Sequence, residues 1–386
     1  MNSNYTSPWD REDVFPEKPT GEDYGYLLRG KFVGCSQEGL IKKCGSRDLP
    51  HVHLVWCPEF PRVVPAAMVG FLSEPLRERQ RSELKSAIGV GLSSFFIWCV
   101  LGFLTSGSSH RPFAWTWMLL LATTTGLIPA VSGIYGIRKL KHDFALTTEN
   151  IKIARYNVWV LSQKILFTWL ILGGIGGVFI LECVYGFPES VNAAGLDKHA
   201  VWRGEWWRLF TGPLLHGNVM HFIFNASALI GLGRLMEVLA SRYYLAFVFG
   251  VSALIGSVFS LFLLPDVTSV GASGGLLGLI GFLAVLGYKR KQVLPPGFAK
   301  SVAINVAIIA AMGILAFSII DNAAHLGGFL AGVILGNFFA RSGEQSLPLV
   351  TGVKIKIAGI ISLFAILVFV GYSMMQIFEN NHAVSN

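Results

Sequence analysis

The chain has 386 residues, 53% of them hydrophobic and 14% charged, with a formal net charge of +8. Soluble domains carry about 25% charged residues, so this composition excludes an ordinary soluble enzyme and points to a polytopic membrane protein. In such a chain an excess of Lys and Arg sets loop orientation, and no nucleic acid partner is expected.

Residues 1–84 read as a small cytoplasmic region of unassigned role. Its first 20 residues are polar and acidic, with Pro8, Pro16 and Pro19, which fits neither the basic start nor the apolar core of a signal peptide. Runs such as "HVHLVWC" and "VVPAAMVGFL" suit a compact fold. Cys35, Cys44 and Cys57, with His51 and His53, match no CxxC spacing, so no metal site is expected. "SEPLRERQRSELK" is a charged helical pattern leading into the first apolar run.

Nine stretches reach or approach the ~20 apolar residues that cross a bilayer core. They lie near 86–105, 113–135, 164–185, 219–239, 244–264, 271–288, 302–319, 324–340 and 356–377. The predicted fold class is therefore an all-α polytopic membrane protein. A two-span hairpin and linker occupy 85–163, six core spans occupy 164–341, and a last span and tail occupy 342–386. Only Arg111, Lys198, Arg203 and Arg208 fall in loops on one side, while nearly all other Lys and Arg fall on the opposite side. The positive-inside rule then puts the N-terminus in the cytoplasm and the C-terminus outside. The 186–218 loop is the longest outside one, and its Trp202, Trp206 and Trp207 suit a lipid–water interface.

Polar groups inside spans are costly and face the protein interior or a wet cavity. Three places stand out: His216, His221 and Asn225 in "HGNVMHFIFN", Ser273 in "GASG", and His325 in "DNAAHLGG". His221 and Asn225, four apart, share a helix face. A serine needs a base to act as a nucleophile, and histidine is the usual one. By the topology above, all three helices deliver these groups near the outer end. Asn225, the His221 ring and the Ser273 backbone N–H are candidate oxyanion donors. Gly274 and Gly278 on one helix, and Gly328, Gly332 and Gly336 on another, form small faces that permit close approach. That approach brings His325 to Ser273.

This conjunction resembles the rhomboid family of intramembrane serine proteases. The matching elements are Trp207-Arg208, His216-x4-His221-x3-Asn225, Gly271-x-Ser273-Gly274 and Ala324-His325-x-x-Gly328-x-x-x-Gly332, with Glu237 near the inner end of its helix. The resemblance covers roughly 164–340. It implies a dyad of Ser273 as nucleophile and His325 as base. His221 and Asn225 would serve the oxyanion, with Gly271, Gly274, Trp207, Arg208, Glu237 and Gly328 in support. His216 receives no catalytic role. Asp321, four before His325, could orient it as a third member, but the family pattern does not call for that. The resemblance implies no cofactor, and as partners only the lipid bilayer and transmembrane protein substrates. Oligomeric state is not legible. The expected location is a bacterial inner membrane, with the site opening to the outer side. Two rival readings are a rhomboid-like pseudoprotease, which binds membrane proteins without cleaving them, and a transporter with a His- and Asn-lined path.

Overall fold

The computed structural model describes residues 7–11, 15–28, 31–46, 54–104, 118–119, 121–142, 148–315, 320–341 and 346–385. The chain forms two compact units, Met1–Ser162 with Ile314–Ile319, and Gln163–Gly313 with Ile320–Asn386.

In the first unit, β1 (Tyr24–Leu28) and β2 (Lys31–Cys35) form an antiparallel hairpin with Tyr24 opposite Cys35. Ser36 caps α1 (Gln37–Gly45) by accepting from the Gly39 N–H at 3.1 Å. β3 (Leu54–Trp56) and β4 (Val64–Pro65) complete a sheet of order β2-β1-β3-β4. Tyr26, Leu40, Cys44, Val55, Cys57 and Leu72 share its core. Burial pushes the Cys44 thiol up to about 12, so this cysteine packs as an apolar side chain rather than reacting as a thiolate. His51 and His53 lie outside the described residues.

α2 (Ser73–Leu104) carries the charged helical pattern straight into apolar sequence. It pairs with a π-helical segment, Ala122–Leu127, and α3 (Ile128–His142). The contact is close because it is built on glycine. A Cβ on Gly91 would lie 2.7 Å from the Gly126 carbonyl oxygen, and one on Gly126 would lie 2.7 Å from Phe95 Cβ. Thr125 Oγ1 returns a bond to the Leu121 carbonyl (2.7 Å) and accepts from Trp98 Nε1 (3.0 Å). Such back-bonding accompanies local departures from α geometry. The 113–135 span expected from sequence falls partly outside the described residues. Within the expected linker lies a helix, α4 (Thr148–Ser162). Tyr156 and Trp159, three apart on one face, hold the Trp9 ring at 5.0 and 5.3 Å.

Among its described residues the second unit is built of helices joined by loops. α5 (Leu166–Tyr185) is followed by three short loop helices, α6 (Phe187–Ala194), α7 (Lys198–Trp202) and α8 (Arg208–Thr211). Then come α9 (Val219–Leu239), α10 (Arg242–Leu263), α11 (Ser273–Lys289), α12 (Phe298–Leu315), α13 (Asn322–Phe339) and α14 (Val353–Ser385). Among the described residues six helices are long and apolar enough to cross a bilayer, and α11 and α12 are shorter apolar ones. The chain is a multi-pass integral membrane protein. Its outer surface is apolar, with Ile180, Phe338 and Phe364 exposed, while Glu182, Asn225, Ser252, Ser257 and Ser260 are buried. That inversion of the soluble pattern is what a bilayer selects.

Two contacts fix the ends of the bundle. α5 begins without a side-chain cap of its own. Glu237, at the far end of α9, supplies one: its carboxylate accepts from the Leu166 N–H (3.1 Å), the Thr168 N–H (2.7 Å) and Thr168 Oγ1 (2.8 Å). We expect Glu237→Ala to lower stability by about 1.5–3 kcal/mol, the usual worth of hydrogen bonds to a charged group, measured by denaturation of the purified protein in detergent. At the other end, α14 packs along α5 and α10. Phe369 stacks on Phe210 of α8 at 4.4 Å, and Tyr372 meets Trp207 edge-on at 5.2 Å.

Candidate active site

The loop between α5 and α9 is the platform of the site, and Arg208 staples it. Its guanidinium is buried and donates to Glu205 Oε2 (2.7 Å), the Gly195 carbonyl (2.7 Å) and the Asn192 carbonyl (3.2 Å). It also lies 4.6 Å from the Trp207 ring centroid. A planar fork with several donors suits this multiple capture of carbonyls, which a lysine could not reproduce.

Asn218 caps α9, accepting from the His221 N–H at 2.9 Å. The cap places His221 in the first turn and Asn225 one turn further on. The His221 Nδ1 lies 2.8 Å from the His216 carbonyl oxygen. A carbonyl only accepts, so Nδ1 carries the proton, and Nε2 donates only when the ring is a cation. Among the described residues, Asn225 Nδ2 is buried without a hydrogen-bond partner. Both side chains press on Gly271. A Cβ there would be 2.7 Å from His221 Nε2 and 3.5 Å from Asn225 Nδ2, and Gly271 has φ +121°. Space and backbone conformation both demand glycine at this position.

Ser273, two residues on, is the first residue of α11. Its N–H therefore has no acceptor within the helix, and the positive end of the helix dipole lies at its side chain. α11 and α13 then cross at closest range through their glycines. A Cβ on Gly328 would strike the Gly274 carbonyl, and one on Gly332 would strike the Gly278 carbonyl. α10 joins at the same level, since a Cβ on Gly256 would be 2.7 Å from the Ala324 carbonyl oxygen and 3.5 Å from Gly274 Cα. Gly274 and Ala324 are the chain neighbours of Ser273 and His325, so the two residues stand at one level on touching helices. His221 and Asp321 are close enough to His325 to act on it electrostatically. Gly328→Ala puts a methyl into a backbone oxygen that cannot swing aside. We expect about 1–3 kcal/mol of overpacking and a loss of any activity that needs Ser273 beside His325, read by thermal unfolding alongside turnover.

A cavity of about 20 Å³ adjoins the serine, lined among others by Ser257, Ser269, Gly271, Ser273 and Asp321. That is room for about one water. Asp321 does not present a free carboxylate to His325. Its Oδ1 accepts from the Ala324 N–H at 2.8 Å, and its Oδ2 accepts from Ser260 Oγ at 2.5 Å.

One residue of this region escaped the sequence reading. Glu182 on α5 is fully buried, and its carboxylate accepts from the His216 N–H (3.0 Å) and the Gly217 N–H (2.9 Å). It holds the turn whose carbonyl orients His221. The signal was present, since Glu182 is the only charged residue within the 166–185 helix. Burial pushes the His216 imidazole down to about 3, and the His221 ring adds to this. His216 is therefore neutral at ordinary pH and packs edge-on to Phe222 at 5.2 Å.

A model of the Rhomboid domain matches residues 203–342. The chain is 29% identical over 170 residues to the rhomboid protease GluP of Bacillus subtilis, covering 42% of this chain and 32% of that one. It is 34% identical over 159 residues to RHOMBOID-like protein 4 of Arabidopsis thaliana, covering 39% of each. It is 30% identical over 143 residues to the putative rhomboid protease YdcA of Bacillus subtilis, covering 37% of this chain and 71% of YdcA. The chain belongs to the rhomboid family. Its rhomboid domain takes in α8 to α13, and so contains Arg208, His221, Asn225, Glu237, Ser273 and His325. The chain spans only about a third of GluP and two fifths of RHOMBOID-like protein 4.

Proposed function

We propose that this protein is an intramembrane serine endopeptidase that cleaves transmembrane segments of other membrane proteins with a Ser273–His325 dyad. The observation that carries the reading is the meeting of three helix N-termini around one serine: His221 and Asn225 against Gly271, and Ala324 and Gly328 against Gly274. In this reaction His325 takes the proton of Ser273 Oγ as the oxygen bonds to the scissile carbonyl carbon. The oxyanion meets the Ser273 N–H and Asn225 Nδ2, both neutral donors, and His221 Nε2 when that ring is charged. The proton passes from His325 to the departing amine. Water then gives a proton to His325 as its oxygen bonds to the acyl carbon, and His325 returns that proton to Ser273 Oγ as the ester bond breaks and the carboxylic acid leaves.

A helical substrate has its carbonyls already hydrogen-bonded, so cleavage needs local unwinding. Substrates should carry helix-weakening residues close to a small residue at the cut, and approach from lipid past α12. The catalytic core of this proposal is 164–341, with 342–386 an added span. The charge distribution favours the N-terminus on the cytoplasmic face and a site opening to the other side.

The test is labelling by a fluorophosphonate probe together with cleavage of a fluorescent transmembrane peptide in detergent. Labelling and cleavage that both vanish in Ser273→Ala support the reading. A folded parent that binds the peptide yet neither labels nor cuts overturns it in favour of a pseudoprotease.

A further inference from the structure

Lys198 is 1% exposed, although long cationic side chains ordinarily keep their charged ends in water. It sits in α7, and the dyad chemistry makes no use of it. Its Nζ donates to the Val267 carbonyl and to Ser269 Oγ at 2.5 Å. Ser269 Oγ lies 3.1 Å from Ser260 Oγ, and Ser260 Oγ donates to Asp321 Oδ2 at 2.5 Å. An ammonium only donates, a carboxylate only accepts, and each hydroxyl has one proton. Ser260 spends its proton on Asp321, so Ser269 must spend its own on Ser260 and accept from Lys198. The chain of bonds therefore runs one way, from the ammonium through two hydroxyls to the carboxylate.

Both ends of this chain reach the dyad. At one end, Ser269 exchanges backbone bonds with Leu196 (2.9 and 3.1 Å), and the Gly271 N–H donates to the Gly212 carbonyl at 3.1 Å. This stitched segment runs directly into Ser273. At the other end, Asp321 caps α13 through the Ala324 N–H, the residue before His325. Ser269, Asp321 and Ser273 line the same cavity.

We propose that Lys198 is a positioning residue for the Ser273–His325 pair: paired with Asp321 through Ser269 and Ser260, it ties the segment entering α11 to the N-terminus of α13. The proposal rests on the dyad reading above. The charged groups around Lys198 are few. Asp321 faces it from α13, and Asp197 adjoins it while capping α7 through the Ala200 N–H at 2.9 Å. Arg208 and Arg203 act on Asp197. Asp266, on the 264–272 segment, lies 3.7 Å from His199 on the exposed side. α10 contributes Ser260, which does not titrate. Burial, opposed by Asp321 and Asp197, lowers the Lys198 ammonium to about 8. As pH rises through that value the charge is lost, the pairing with Asp321 goes with it, and turnover should fall.

The experiment measures kcat and KM for the fluorescent peptide across neutral and alkaline pH, with fluorophosphonate labelling and thermal unfolding. It uses the parent, Lys198→Met, Asp321→Asn and Ser273→Ala. The expected result for Lys198→Met is a loss of about 10- to 100-fold in kcat, the scale of a small misplacement of reacting groups, with KM little changed and no alkaline limb near pH 8. Asparagine still caps a helix, so Asp321→Asn should fold. It should move the alkaline limb to lower pH, because it removes a charge that raises the Lys198 value. A Lys198→Met enzyme with the parent's kcat and alkaline limb overturns the proposal. Where Lys198→Met does not fold, Asp321→Asn decides, and an unmoved limb overturns it. If Ser273→Ala cleaves like the parent, the dyad reading itself falls and the proposal falls with it.

Discussion

Ser273→Ala and His325→Ala should each reduce cleavage to background while leaving the fold intact. The size of the loss follows from how the two residues act as a unit. In hydrolases of this chemistry, removing the nucleophile or its base costs on the order of 10⁶ in kcat. The structural cost should be small. Ser273 opens a helix beside Ala272 and Gly274, where a methyl in place of a hydroxymethyl removes one small polar atom and adds no bulk. Thermal unfolding of Ser273→Ala should therefore match the parent, and fluorophosphonate labelling should disappear. A variant that lost labelling and also unfolded early would not count for the dyad. A labelled, active Ser273→Ala would sink it.

Asn225→Ala should separate activity from stability in the opposite sense to Glu237→Ala. Asn225 Nδ2 is buried and has no hydrogen-bond partner among the described residues. A buried polar group without a partner is a standing cost of about 1–3 kcal/mol. Replacing it by a methyl removes that cost, so stability should hold or rise. If the amide is kept for an oxyanion that forms only during reaction, kcat falls by about 100- to 1000-fold with little change in KM. Parallel measurement of turnover and unfolding checks both signs. A destabilised Asn225→Ala with normal kcat would show that the amide serves the fold alone.

Much of the fold could be read in advance because a bilayer imposes simple rules. Apolar runs of the right length became α5, α9, α10, α13 and α14, and the glycine faces of α11 and α13 meet as small residues at four-residue spacing predict. Candidate site residues stood out where polar chemistry interrupted hydrocarbon. What stayed hidden had its partners far along the chain. Glu182 bonds backbone groups more than thirty residues away. Lys198 in sequence is one more loop cation, and only the folded loop reveals its line through Ser269 and Ser260 to Asp321. The helix α4 is not legible in its own stretch, because its aromatic partner, Trp9, lies far off in a proline-rich segment.

The stacking of Phe369 on Phe210, and of Tyr372 against Trp207, has a bearing on traffic in the plane of the bilayer. The flank of the second unit formed by α5, α8 and α10 is already occupied by a helix of its own chain. Its docking is dense: a Cβ on Gly174 would lie 3.1 Å from Val370, and one on Gly359 would lie 2.5 Å from the Tyr243 carbonyl oxygen. A visiting helix therefore has no berth on that arc of the circumference, and the lateral routes by which lipid-borne chains can draw near are fewer by one.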